Sequence, residues 1–134
     1  MKSKKITSKK ALLVFSHELT ENQIGELIKD FEVKKIEKLP EEIQKIWSNV
    51  DSEDETYEEN LEKIKEFIEK NNQKGDVLLI QGNWGYTYNL VKWAFEREFT
   101  PIYSFTKRDV EEIKEGENIK KISYFKHERF RKYE

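Results

Sequence analysis

Three short apolar runs in this chain break abruptly into polar or glycine residues. Ala11–Phe15 runs into Ser16-His17-Glu18, Val77–Ile80 into Gln81-Gly82-Asn83-Trp84-Gly85-Tyr86, and Ile102–Phe105 into Thr106-Lys107-Arg108. Leu12-Leu13-Val14-Phe15 and Val77-Leu78-Leu79-Ile80 lack polar alternation, as strands covered on both faces do. Helical patterns separate the runs. Thr20 and Gln23 form a capping-box pattern ahead of Ile24, Leu27, Ile28 and Phe31, which recur at helical spacing. Val33–Ile36 fits a short strand, and Leu39-Pro40 opens a short helix that buries Ile43, Ile46 and Trp47. After the acidic polar loop Ser48–Thr56, Tyr57, Leu61, Ile64 and Ile68 mark a second amphipathic helix that stops before Gly75. Leu90, Val91, Ala94 and Phe95 predict a helix to about Glu98, Asp109–Lys114 a helical turn or two, and Ile119–Phe125 a last strand.

Strands alternating with helices predict a single α/β domain. Its sheet is expected to be mostly parallel, of about five strands, with helices on both faces. The domain is expected over residues 11–134, after a lysine-rich tail at 1–10. In a parallel sheet all three polar breaks fall on the edge formed by the carboxyl ends of the strands. Open α/β sheets hold ligands at that edge, where the strand order reverses. The pattern therefore nominates a site before any motif is considered.

Composition narrows the chemistry. At 134 residues, one domain can bury about two-thirds of the surface of its unfolded chain. Charged residues make up 39% and aromatic residues 13%, so a densely charged surface encloses an aromatic-rich core. The absence of cysteine removes disulfides, thiolate metal sites and cysteine nucleophiles, and two histidines without thiols argue against structural zinc. No run reaches the roughly 20 apolar residues of a membrane span, so a soluble cytoplasmic protein is expected, with no membrane partner. The net charge of −2 hides an asymmetry: Asp51–Lys70 has nine acids against three lysines, and Ile119–Glu134 six Lys/Arg against two glutamates. The small total argues against strong non-specific binding of nucleic acid, double-stranded DNA included.

At the nominated edge, Ser16 and His17 offer a hydroxyl and an imidazole to a phosphate or ribose; the same residues suit the polar start of a helix. Gly82-Asn83-Trp84-Gly85 is neither a Walker sequence nor the Gly-x-Gly-x-x-Gly fingerprint, which turns the reading away from ATP hydrolysis and nicotinamide chemistry. Its glycines would let the backbone approach a ligand, with Gln81 and Asn83 alongside. Trp84 and Tyr86 would stack on a base or pack the turn. Thr106, Lys107 and Arg108 suit a phosphodiester, or simply a charged helix start. The tail Lys126–Tyr133 interleaves cations, Arg129 among them, with aromatics. It is compatible with nucleic acid or with docking on the acidic Asp51–Glu69 region of a neighbour. His127 is a candidate general acid or base. No carboxylate cluster stands out as a metal-hydrolase centre, so no metal or cofactor is expected.

Four strings in order carry a resemblance: Leu13–Thr20, Leu39-Pro40-Glu41-Glu42 through Ile46–Val50, Gln81-Gly82 through Gly85, and Ile122–Arg131. Together they resemble a family of small CRISPR-associated ancillary proteins encoded beside type III systems. That family is similar to the Rossmann-like, CARF-like domains that bind cyclic oligoadenylates, and its members are thought to act as ring nucleases. The resemblance implies a homodimer whose strand edges face one ring, cyclic tetra-adenylate or a near relative. It also implies metal-independent attack of a ribose 2′-hydroxyl on the adjacent phosphorus, leaving a 2′,3′-cyclic phosphate and ending the antiviral signal. Lys107 or Arg108 would then stabilise the phosphorane charge, Ser16 would donate to a phosphate, and His17 or His127 would move the proton. Gly82, Trp84 and Gly85 would hold adenine or backbone. The alternative is a sensor or sponge that binds the ring without cutting it.

Overall fold

The computed structural model describes residues 9–134; the lysine-rich start, but for its last residues, lies outside them. Nine elements follow in the order β1 (Lys10–Val14), α1 (Glu21–Asp30), β2 (Lys35–Lys38), α2 (Glu41–Ser48), α3 (Tyr57–Asn71), β3 (Val77–Ile80), α4 (Trp84–Glu96), β4 (Thr100–Glu115) and β5 (Asn118–Lys132). They form one five-stranded sheet of order β2-β1-β3-β4-β5. β1 pairs in parallel with β2 and β3, and β3 in parallel with β4.

The last pairing changes the expected architecture. β4 and β5 are antiparallel from Ile102↔Lys132 to Glu115↔Asn118, a ladder longer than the three parallel ones together. The sheet is therefore mixed, not mostly parallel. Asp109–Lys114 is strand, not a helical turn, and the tail from Lys126 to Lys132 is strand too. Gly116 closes the hairpin at φ 64°, the backbone that a two-residue turn with glycine first demands. β3 reaches β4 only along Thr100–Ile102, so most of the hairpin projects beyond the sheet as a two-stranded arm.

Helices cover both faces, as the alternating pattern predicts. α1 closes one face through Leu27, against Ala11, Leu13, Val77, Leu79, Ile102 and Phe130. α2, α3 and α4 close the other with Trp47, Leu61, Ile64, Ile68, Leu90 and Trp93 over Leu12, Val14, Leu78 and Ile80. The capping box forms: Thr20 Oγ1 accepts from Gln23 N at 3.2 Å, and Gln23 Oε1 accepts from Thr20 N at 2.9 Å. The α1 stripe is rotated from its expected setting. Gln23 is buried, whereas Ile24 and Ile28 remain 38% and 55% exposed.

Tyr133 locks the end of the chain back onto the sheet. Its N–H donates to Pro101 O, and its hydroxyl donates to Ile80 O at 2.6 Å. Burial, with the neighbouring Tyr103 as a smaller contribution, pushes its phenol up to about 12. An acid whose pKa is higher folded than unfolded stabilises the fold fully below its unfolded value, about 10, and loses that contribution as pH rises towards 12. Tyr133→Phe is expected to cost about 1 kcal/mol at neutral pH by leaving Ile80 O unpaired. It should also flatten the fall in stability between those pH values, as read by urea melts at stepped alkaline pH.

Candidate functional site

The strand order reverses between β1 and β3, which places the nominated crevice at their carboxyl ends. The chain fills much of that crevice itself. Trp47 of α2 is 2% exposed and donates from Nε1 to Gln81 O at 3.1 Å. A Cβ on Gly82 would lie 2.7 Å from that Nε1, and one on Gly85 would meet the Tyr57 hydroxyl. Both glycines make room for the protein's own aromatic rings. Tyr86 is wholly buried between Trp47 and Tyr57 and has no face to offer a base. Trp84, at the start of α4, is 91% exposed and keeps both of its faces. Asn83 is the N-cap of α4, its Oδ1 accepting from Tyr86 N at 3.1 Å.

Beside this plug, at the carboxyl ends of β1 and β2, a cavity of about 460 Å³ opens under α2. Ser16, His17, Gln44 and Ser48 line it with Lys38 and Lys45, and Glu18 and Glu41 lie among them. Ser16 Oγ and Ser48 Oγ are 2.8 Å apart, and Gln44 Nε2 donates to Ser48 Oγ at 2.9 Å and to Phe15 O at 3.1 Å. His17 sets its ring edge-on to Phe15 with centroids 5.3 Å apart. The cavity is hydroxyl-rich and of mixed charge, with Lys38 partly committed to Glu18 at 3.3 Å.

A second constellation stands where β4 leaves the sheet. His127 of β5 bonds through Nδ1 to Ser104 Oγ at 2.5 Å and through Nε2 to Glu26 Oε1 of α1 at 2.7 Å. The other Glu26 oxygen accepts from Phe130 N at 2.7 Å. For a neutral imidazole facing an ionised carboxylate, which only accepts, Nε2 carries the ring proton and Nδ1 accepts from the serine hydroxyl. The imidazole and the carboxylate are 12% and 14% exposed. Gln81 joins this group to the crevice, its Oε1 accepting from Ser104 N at 2.8 Å.

The structure thus separates residues that the sequence groups on one edge. Ser16 and His17 share the cavity; Gln81 and His127 belong to the Ser104 cluster. Thr106 pairs with His127 at the root of the arm, and Lys107 and Arg108 stand further out on it, exposed and outside the cavity lining. Arg108 Nη2 donates to Ser123 Oγ across the arm at 3.2 Å. Arg129 lines a different cavity, of about 470 Å³, with Asp30, Glu32 and Thr100. Ser104 and Glu26 are additions that the sequence reading lacks, since neither sits beside His127 in the chain.

Fold and site together define a single-sheet α/β protein with a polar carboxyl edge and a projecting β-arm. The chain belongs to the family described as "Uncharacterized protein MJ1673 family", whose model matches residues 9–131. It is 43% identical over 124 residues to "Uncharacterized protein MJ1673" of Methanocaldococcus jannaschii, an alignment covering 92% of this chain and 96% of that relative. No solved structure matches the chain. Among the described residues no helix is long and apolar enough to cross a membrane.

Proposed function

We propose that this protein binds a cyclic oligoadenylate at its carboxyl edge and opens the ring by attack of a ribose 2′-hydroxyl on the adjacent phosphorus. The observation that carries the reading is the Glu26–His127–Ser104 chain at the root of the arm. In this reaction the 2′-oxygen forms a bond to phosphorus, the bond from phosphorus to the 5′-oxygen breaks, and the leaving oxygen takes up a proton from water, to which His127 later returns its own. The 2′-hydroxyl gives its proton to Ser104 Oγ as the serine proton passes to His127 Nδ1. Glu26, at Nε2, holds the imidazole in the tautomer that accepts it. Lys107 and Arg108, just beyond on the arm, supply positive charge for the phosphorane. Trp84 offers an open ring face for adenine.

A second reading keeps the ligand and drops the chemistry. Both ring nitrogens of His127 are engaged within the protein, and Ser104 is only 8% exposed. That arrangement also suits a latch between α1 and β5 in a protein that senses or sequesters the ring.

Incubation with radiolabelled cyclic tetra-adenylate in EDTA, followed by chromatography, separates the two. A linear product ending in 2′,3′-cyclic phosphate, lost in Ser104→Ala with binding retained, is the expected result. An intact ring despite measurable binding selects the second reading. Neither binding nor cleavage of the tetra-, tri- and hexa-adenylate rings rejects both.

A further inference from the structure

We infer that a single-stranded nucleic acid docks on the face formed by α4 and the root of the arm, its bases on aromatic rings and its phosphates on cations. The inference goes beyond the ring-opening proposal and stands without it.

The face begins on α4. Trp84, Tyr88, Val91 and Phe95 recur there at helical spacing, and Tyr88 and Phe95 remain 67% and 46% exposed. A groove of about 320 Å³ runs between this stripe and the end of the chain, with Tyr88, Val91 and Phe95 on one side and Tyr133 on the other. Tyr133 packs against Tyr103 of β4, ring centroids 4.8 Å apart. Alternate pairs of a ladder share one face, so the register carries the surface outward from Tyr103↔Arg131 to Phe105↔Arg129 and Lys107↔Lys126. The extra residue at Glu128 keeps Lys126 in step with Lys107. Phe105 is 44% exposed. Large rings left in solvent side by side mark an interaction surface.

Charge selects the occupant. Lys92 beside the groove and Lys107, Lys126, Arg129 and Arg131 on the hairpin are cations, and among the described residues none of them forms an ion pair. Lys107 and Lys126 stand directly opposite each other, where like charges repel until an anion lies against them. Acids on this face are fewer. They are Asp109 one pair further out, Glu128 on the bulge and Glu134 beside the groove. Asp30 and Glu32 share a neighbouring cavity with the two arginines, and Lys9 and Lys132 offset them there.

The acids that turn the net charge negative gather elsewhere, on Asp51–Lys70. The face is therefore locally cationic on a chain of net charge −2. An apolar protein surface would fill the groove and leave the cations unanswered. A duplex would answer the cations while keeping its bases stacked away from the rings. A single strand satisfies both, because every base presents a ring face and every link a phosphate. Stacking of this kind tolerates any sequence, so the face is a general platform and reads no particular order of bases.

The test is fluorescence anisotropy of a labelled single-stranded RNA of about 12 nucleotides, titrated with the full chain at stepped salt concentrations. The wild type should bind the strand more tightly than a duplex of the same sequence, with affinity falling as salt rises. Tyr88→Ala should weaken binding about fivefold or more and leave the salt dependence unchanged. Lys126→Gln and Arg131→Gln should each lower the slope of log Kd against log salt by about 0.7, the share of one phosphate contact on a single strand. All three positions are exposed, so the variants should melt with the wild type. Failure of the wild type to bind the single strand at low salt would return the face to a protein partner and overturn the inference. Equal affinity for the duplex, or three variants that bind like the wild type, overturns it as well. Ring-opening assays on the same proteins report separately on the proposed function, whose Ser104 cluster these substitutions leave in place.

Discussion

Trp47→Ala is expected to cost about 3–5 kcal/mol of folding stability and to lower the melting temperature by roughly 10–20 °C. The ring is 2% exposed, packs 5.8 Å from Tyr86 between centroids, and holds the end of β3 through Gln81 O. Its removal empties the crevice where the strand order reverses. Gly82→Ala perturbs the same contact from the other side, since its Cβ would lie 2.7, 2.8 and 2.9 Å from three atoms of the indole. A buried ring has nowhere to retreat, so that substitution alone should cost about 1–3 kcal/mol. The two effects are not independent. With Trp47 already alanine the obstacle is gone, and adding Gly82→Ala should cost little. Urea melts of the four proteins in this cycle give the coupling directly. Additive costs would mean that Gly82 is needed for something other than room for the indole.

That crevice illustrates what was legible in the sequence and what was not. The sequence reading assigned the glycines after β3 to the approach of a ligand, and nothing local to Gln81–Tyr86 names Trp47 as the group that stands against them. The parallel half of the sheet was readable because Leu12–Val14 and Val77–Ile80 are buried on both faces and leave an uninterrupted apolar signature. The arm was not. Both of its faces meet solvent, so the alternation that burial imposes on a strand is absent. Val110 and Ile113, three residues apart among Glu and Lys, imitate a helix instead. The local cue was Gly116, placed where a two-residue hairpin turn takes its glycine. The Ser104 cluster is opaque for a different reason. Its members come from α1, β4 and β5 and meet only once the hairpin register, shifted between Phe105 and Thr106, is set.

Glu26→Ala and Glu26→Gln should separate support of the fold from support of the chemistry in that cluster. Alanine leaves Phe130 N–H without its acceptor and His127 Nε2 without its partner, in a region where Phe130 is 4% exposed. A loss of about 2–3 kcal/mol is expected, with faster amide exchange at Phe130. Glutamine keeps the shape and one carbonyl oxygen for Phe130 N–H, so most of that stability should survive. Its amide nitrogen donates towards Nε2, however, which moves the imidazole proton to Nδ1 and turns Nδ1 from acceptor to donor. If His127 accepts a proton through Ser104, the glutamine protein should bind cyclic oligoadenylate with unchanged affinity and open it about 10²–10⁴-fold more slowly. The carboxylate does not touch the ligand in this scheme, so the effect belongs in the turnover rate and not in Kd. A stable Glu26→Gln protein that cleaves at the wild-type rate would reduce the cluster to a latch between α1 and β5, and the proton route would have to be sought at His17.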